Sequence, residues 1–501
     1  MSPALALAAL VAVAVDGAPS VFPRFDELRP EENITAVPFT LVLVEPASAE
    51  GVFPSMQQSL HLYQAFAVGG NEVIRRAFST VDNDWLRLGV GLPTVVLVNL
   101  VTEAAFGLPF GAPHHGWLHE EWHRAVMSAH GIDTFDTLAV PDNQLAAALG
   151  ERFYAGSSGS VIGATDEQLA AFKASSPGDY VRMSTAGIES QLVTIRAIER
   201  DQFFFGGDDP WWGPVVSARG WNAGTLIFNQ VSTFGYLLEC GTQGGVDFTA
   251  EMEAGEPGTV VARDFTGLDC DASVYDLFRP HEPYVARGAH PGGTGVDRYR
   301  TLDDLDDEER RYATDTIARA ALSFIDPALF NIAGVSVDDA VFGRRLKVTG
   351  RLAHMLSPIG SAVELEALAQ VRPFNGAAVL RLTALPRGLV PSLDLDVVRV
   401  PFVWRLPNAT DATVKSALAF IDPTVVTVSL GLQTWVQPHD LVATSDDLRV
   451  GGLVRAEIGV QPIPSLELLA SGMVKSEGFS PGVLSTGPVG GAGLALRLWL
   501  Y

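Results

Sequence analysis

The sequence predicts an α+β fold, helical first and antiparallel β afterwards, on three observations. In the first two thirds, apolar residues recur at helical spacing in several long segments. After about residue 340, glycine and proline punctuate short segments whose apolar residues alternate with a period of two. At 501 residues, the chain is long enough for each part to bury its own core. The reading is a mainly helical unit over 19–335 and an antiparallel β unit over 340–501, with 1–18 a candidate signal peptide.

At the N-terminus, Leu5 to Val15 is an apolar run of export-signal length, with small residues near Ala14 and Ala18. No Lys or Arg precedes Arg24, so the usual positive start of such a signal is missing, and a buried N-terminal helix is the alternative. Residues 55–80 read as helical and 86–112 as very apolar. The longest charge-free run there, Leu88 to Thr102, has 15 residues, short of the ~18 of a spanning helix. Gly220 to Leu238 is charge-free but carries Asn222, Asn229 and Gln230, which favours a buried helix. The acidic run Asp303 to Glu309 suits the first turn of a solvated helix. Cys240 and Cys270 are the only cysteines, and they could form one disulfide in an oxidising compartment.

The chemistry concentrates between His114 and His130, which hold five of the ten histidines and spell His119-Glu120-Glu121-Trp122-His123. Pro113 and Gly131 bracket this segment as helix start and stop signals. Between them, Trp117, Leu118, Trp122, Ala125, Val126 and Ala129 carry the apolar spacing of a helix. On a helix, residues four apart share a face, so His119 and His123 can place two imidazoles on one metal ion. Glu120 would lie beside them as a base for water. His115 extends the run as a further ligand or a donor behind the ligands. The alternative is a helix whose histidines only hydrogen-bond.

This string resembles the active-site helix of the zincin metallopeptidases. The resemblance implies zinc held by His119 and His123, with Glu120 as catalytic base. The metzincin extension is absent, since Val126 and Ala129 stand where glycine and a third histidine would be. That points to a gluzincin-like arrangement with a distant acid as third ligand. Glu189 is the leading candidate, preceded by the small residues Ser184, Thr185, Ala186 and Gly187 and flanked by the helical pattern Ile188, Leu192, Ile195 and Ile198. Val193 stands where such families often carry a following aspartate; Glu199, Asp133 and Glu103 are the alternatives. The polar loop from Arg279 through Tyr284, Arg287, His290 and Arg298 is a candidate source of a donor to a developing oxyanion. The aromatic run Phe203 to Trp212 could line a cleft or rest at a membrane interface.

In the β half, Leu453 to Gln461 and Leu494 to Tyr501 alternate most clearly; Val363 to Ala369, Val379 to Thr383, Leu393 to Val400 and Val425 to Val436 are similar. This half resembles a small outer-membrane β-barrel, although Tyr501 falls on the side of Arg497 and not with the leucines. A soluble antiparallel sheet with the leucine face as its core is the alternative. A net charge of −24 argues against nucleic acid and against attraction to anionic lipid. One heptad, Ala321 to Pro327, recurs almost unchanged as Ala417 to Pro423, with no function attached.

Together these readings predict an exported zinc hydrolase, foremost a peptidase, in the outer membrane or periplasm of a Gram-negative bacterium. Its partner is a peptide or protein substrate, membrane-associated in one version, with membrane contact through the β half. The alternatives are a non-enzymatic outer-membrane channel or assembly factor and a lipid-processing metalloenzyme.

Overall fold

A computed structural model describes residues 37–46, 52–79, 115–136, 161–205, 218–255, 259–330, 334–341, 344–371, 374–404, 424–463 and 465–500, with single positions at 90, 93, 94 and 97. The candidate signal peptide, most of the apolar stretch 86–112 with Glu103, the aromatic positions 206–212, the second heptad copy and Tyr501 lie outside the described residues.

The described helices are α1 (Met56–Ser79), α2 (His115–Ala129), α3 (Asp166–Ser175), α4 (Pro177–Phe205), α5 (Ala218–Cys240), α6 (Gln243–Ala254), α7 (Asp269–Phe278) and α8 (Asp307–Ala320). They follow the local signals. Gly131, at φ 73°, ends α2 where a left-handed residue is needed. Asp306 caps α8, accepting from the N–H groups of Glu308 and Glu309, while the Glu309 carboxylate accepts from the Asp306 N–H. No described helix is long and apolar enough to cross a membrane.

The strands are β1 (Val37–Val44), a short pair β2 (Phe135–Asp136) and β3 (Val161–Ile162), then β4 (Val335–Val341), β5 (Arg344–Ser357), β6 (Gly360–Val371), β7 (Phe374–Leu385), β8 (Gly388–Trp404), β9 (Thr424–Pro438), β10 (Leu448–Ile463), β11 (Leu466–Lys475) and β12 (Val489–Leu500). Ten of them form one antiparallel sheet in the order β1-β12-β11-β10-β9-β8-β7-β6-β5-β4. β1 comes from the N-terminal part and completes the C-terminal sheet, a pairing the sequence reading did not contain. Among the described residues the sheet is open, and the barrel closure expected from the alternation is not seen. Both edges are irregular: register shifts between Val337 and Val341 and between Val42 and Val44, and exposed Asp338 and Asp339 sit on β4. Bulges and edge charges of this kind end a ladder.

The two faces of the sheet differ sharply in polarity. The polar alternates, such as Glu364, Glu366, Gln370 and Arg381, are buried, whereas Leu365, Leu393, Leu395 and Leu432 are exposed. The leucine face is therefore not the core of a soluble sheet. The long helix α4 supplies the partners for the buried polar face. Arg196 pairs with Glu364, Arg200 reaches Glu366 at 2.7 Å and Asp396 at 2.9 Å, and Arg351 reaches Glu199 at 2.8 Å. Where α4 ends, its last carbonyls accept from the sheet: Lys347 Nζ donates to Phe203 O at 2.8 Å and Gln370 Nε2 to Phe204 O at 3.0 Å. Buried ions persist only when paired and hydrogen-bonded in this way.

Candidate metal centre

Three elements converge on one point. Helix α2 presents His119 and His123 from adjacent turns of one face, both buried, as the four-residue spacing requires. Helix α4 packs directly against them, with its Met183, Gly187 and Gln191 face turned to α2. At Gly187, any Cβ would collide with the His119 imidazole, so only glycine permits this approach. Helix α7 begins with Asp269, whose Oδ2 lies 2.9 Å from His119 Nε2 and 3.2 Å from His123 Nε2. A disulfide between Cys240, at the end of α5, and Cys270 ties that helix start in place.

His119, His123 and Asp269 thus form a buried set of three ligand-type atoms close enough to hold one ion. Ligands about 2.0–2.2 Å from a tetrahedral zinc stand ~3.3 Å apart, close to the two separations from Asp269. The rings are also oriented for the task. His123 Nδ1 donates to the Met183 carbonyl, which aims Nε2 at Asp269, 3.2 Å away. A cation here would take the place of the proton that His123 Nε2 shares with the Asp269 carboxylate. The Gln191 side-chain amide stands 3.2 Å from His119 Nδ1 and touches the Thr233 hydroxyl, which also stands 2.6 Å from Asn229 O. The Gln191 amide N–H donates to His119 Nδ1 and its carbonyl accepts from Thr233, so the proton of the neutral His119 ring sits on Nε2 and donates to Asp269 Oδ2 at 2.9 Å, the place a metal would take.

Charge in the site follows from burial and proximity. Burial pushes the Glu120 carboxyl up to about 8, helped by Asp264, Asp269 and Glu121 and opposed by His123. Burial alone would lower the His123 ring, but Asp269, Glu120 and the Met183 carbonyl raise it to about 9. The His119 ring is lowered, chiefly by burial. Burial works against the Asp269 carboxylate, yet the two imidazoles hold it well below its ordinary range. Tyr236 stands edge-on to His119, 5.7 Å between ring centres, and its Oη accepts from the Asp269 N–H at 3.0 Å. Burial and the nearby acids keep its phenol protonated far above neutrality.

The structure brings His119 and His123 together with Asp269 and not with Glu189, and Glu120 lies near enough to feel the charge of His123 and Asp269. Glu189 lies on the far side of α4, where its carboxylate accepts from Arg182 at 3.0 and 3.2 Å and from the Gly482 N–H at 2.8 Å. The reason is phase. Gly187 and Gln191 define the face toward α2, and two further residues turn the helix ~200° away. Glu199 pairs with Arg351, and Asp133 is exposed. His115 is no ligand either: its Nε2 is 3.3 Å from Ser232 Oγ. The polar loop is exposed along much of its length, while its buried side chains are held by ion pairs and packing. Arg287 binds Asp276 at 2.5 Å, Arg298 binds Asp166 at 2.9 Å, and Tyr284 packs on Arg287. Asp269 and Tyr236 were missed; their one sequence signal is the cysteine beside Asp269, which pairs with a residue four after Tyr236. A second group, His439, Asp440 and Glu477, lies at the surface, where water competes for any cation.

Compared with known proteins, the chain matches no family model, no curated sequence and no solved structure.

Proposed function

We propose that this chain is a metal-dependent hydrolase, with zinc as the metal and peptide bonds as the favoured substrates. The observation that carries the reading is the convergence of His119, His123 and Asp269 with Glu120 beside them. Two imidazoles and one carboxylate are a donor set that suits zinc and leaves a coordination position open. When bound, zinc supplies Lewis acidity, acidifying water and polarising a carbonyl oxygen.

The protein's own groups do the rest. Asp269 neutralises part of the cation's charge, and the Met183 carbonyl and Gln191 amide fix the ring orientations. Glu120, alone in metal-free surroundings, keeps its proton at neutral pH; a cation alongside favours the carboxylate. Glu120 then takes a proton from water at its carboxylate oxygen and returns it to the leaving amine. Tyr236, a neutral phenol at the rim of the ligand set, can donate to the oxygen on which charge builds.

A screen of peptide substrates with the full chain tests this. Hydrolysis should vanish with 1,10-phenanthroline and return with zinc; activity indifferent to the chelator contradicts the reading. A linked expectation concerns pH. The His123 ring of the metal-free protein holds a proton below about 9, and a metal must displace it. Zinc affinity should therefore climb at least about tenfold per pH unit between pH 6 and 8, with one proton released from His123 and a second as Glu120 ionises beside the cation. Titration calorimetry in buffers of different ionisation enthalpy measures both; a flat profile would refute the assignment of His123.

A further inference from the structure

We propose that the outward rows of strands β6 to β12 face the hydrocarbon of a lipid bilayer, with the α4 side turned away from the lipid. The inference does not depend on the metal reading. It starts from the inverted polarity. From β6 to β12, registers and burial place no Asp, Glu, Lys or Arg on the outward rows; Leu, Val, Ile, Ala and Gly fill most positions. Exposure is large where the row is least covered, 69% at Leu389 and 83% at Val450. An aqueous protein does not leave an apolar face of this extent bare.

The opposite face explains why the arrangement holds. Its charges are spent on one another and on α4: Glu364 between Arg196 and Arg381, Asp396 between Arg200 and Arg455. In water, the cheaper register would turn these groups outward and the leucines inward, since a one-residue slip exchanges the faces. Inward charge and outward leucine is the pattern of a strand whose outside is apolar solvent.

Dimensions agree. Strands β6 to β12 are 10 to 17 residues long. At ~3.3 Å per residue and a tilt of ~45°, even the shortest crosses ~23 Å, against an apolar band of ~25 Å. At the end of the sheet where β6 starts, helix α8 meets the strands: its Tyr312 hydroxyl donates to Ala384 O at 2.6 Å and accepts from the Ser361 N–H at 2.7 Å.

Lipid fits better than a protein partner. Protein interfaces are enriched in Tyr, Trp, Arg and Met and ringed by polar residues. The outward rows carry small and branched aliphatic residues with no charged group among them. A second copy or a soluble partner would also be a discrete occupant, and the test separates these cases.

The full chain, purified in detergent and reconstituted with phosphatidylcholine vesicles, should float with the vesicles and resist alkaline extraction. Single-cysteine variants Leu395→Cys and Val454→Cys probe the outer rows and Ser471→Cys the inner row; Cys240 and Cys270 are already paired. A fluorophore at 395 or 454 should be quenched at least about twofold by a nitroxide on the lipid acyl chain and little by aqueous iodide, with the 471 probe blind to the lipid quencher. Failure to float would overturn the proposal. So would outer probes quenched by iodide alone, or a detergent-free dimer or complex in which those probes are protected without lipid.

Discussion

Glu120→Gln will bind zinc as the native chain does and hydrolyse peptides about 10²–10⁴-fold more slowly. The amide keeps the size of the carboxyl and leaves the three ligands untouched, because Glu120 is not among them. What it removes is the group that can shuttle a proton, so kcat should fall while KM changes little. Stability should hold or rise, since burial disfavours the charged form of Glu120 and an amide is neutral at every pH. Single-turnover kinetics with parallel metal analysis measures both effects. Full activity in this variant would remove Glu120 from the mechanism.

The largest structural effect is expected from Glu364→Ala. This carboxylate is fully buried and bridges Arg196 of α4 and Arg381 of β7. Its loss leaves two guanidinium groups facing each other without a counter-charge, which typically costs about 3–5 kcal/mol. Because one of them belongs to α4, the damage should extend to the seating of that helix, and through Gly187 and Gln191 to the metal ligands. The adjacent Leu365→Ala is the control. Leu365 points outward and is half exposed, so it should cost well under half as much. Unfolding midpoints in one fixed detergent would compare them, and equal losses would mean that the ion-pair seam does not hold the helix to the sheet.

What could be read from sequence was what local periodicity encodes. The α2 helix, its stop at Gly131, and the face shared by His119 and His123 follow from spacing within one segment. The strands at 363–369, 379–383, 393–400, 425–436 and 453–461 were legible for the same reason. The third member of the group was not, because Asp269 lies 150 residues beyond His119 and reaches it only through the packing of α4 and α7. Glu189 was attractive for its small neighbours, and those residues do mark a close approach. The contact residue is Gly187 itself, and reading its phase on the helix turns Glu189 away from α2. The direction of the sheet was likewise hidden. Alternation distinguishes two faces but does not say which is buried; the row of arginines on α4 decides that.

Metal content of the purified full chain, measured by elemental mass spectrometry after zinc loading and dialysis, tests the central claim most directly. About one zinc per chain is predicted, lost in His119→Ala and in Asp269→Ala and kept in Glu189→Gln. A chain that retains no zinc, or one that keeps it without Asp269 and loses it without Glu189, would contradict the site described above.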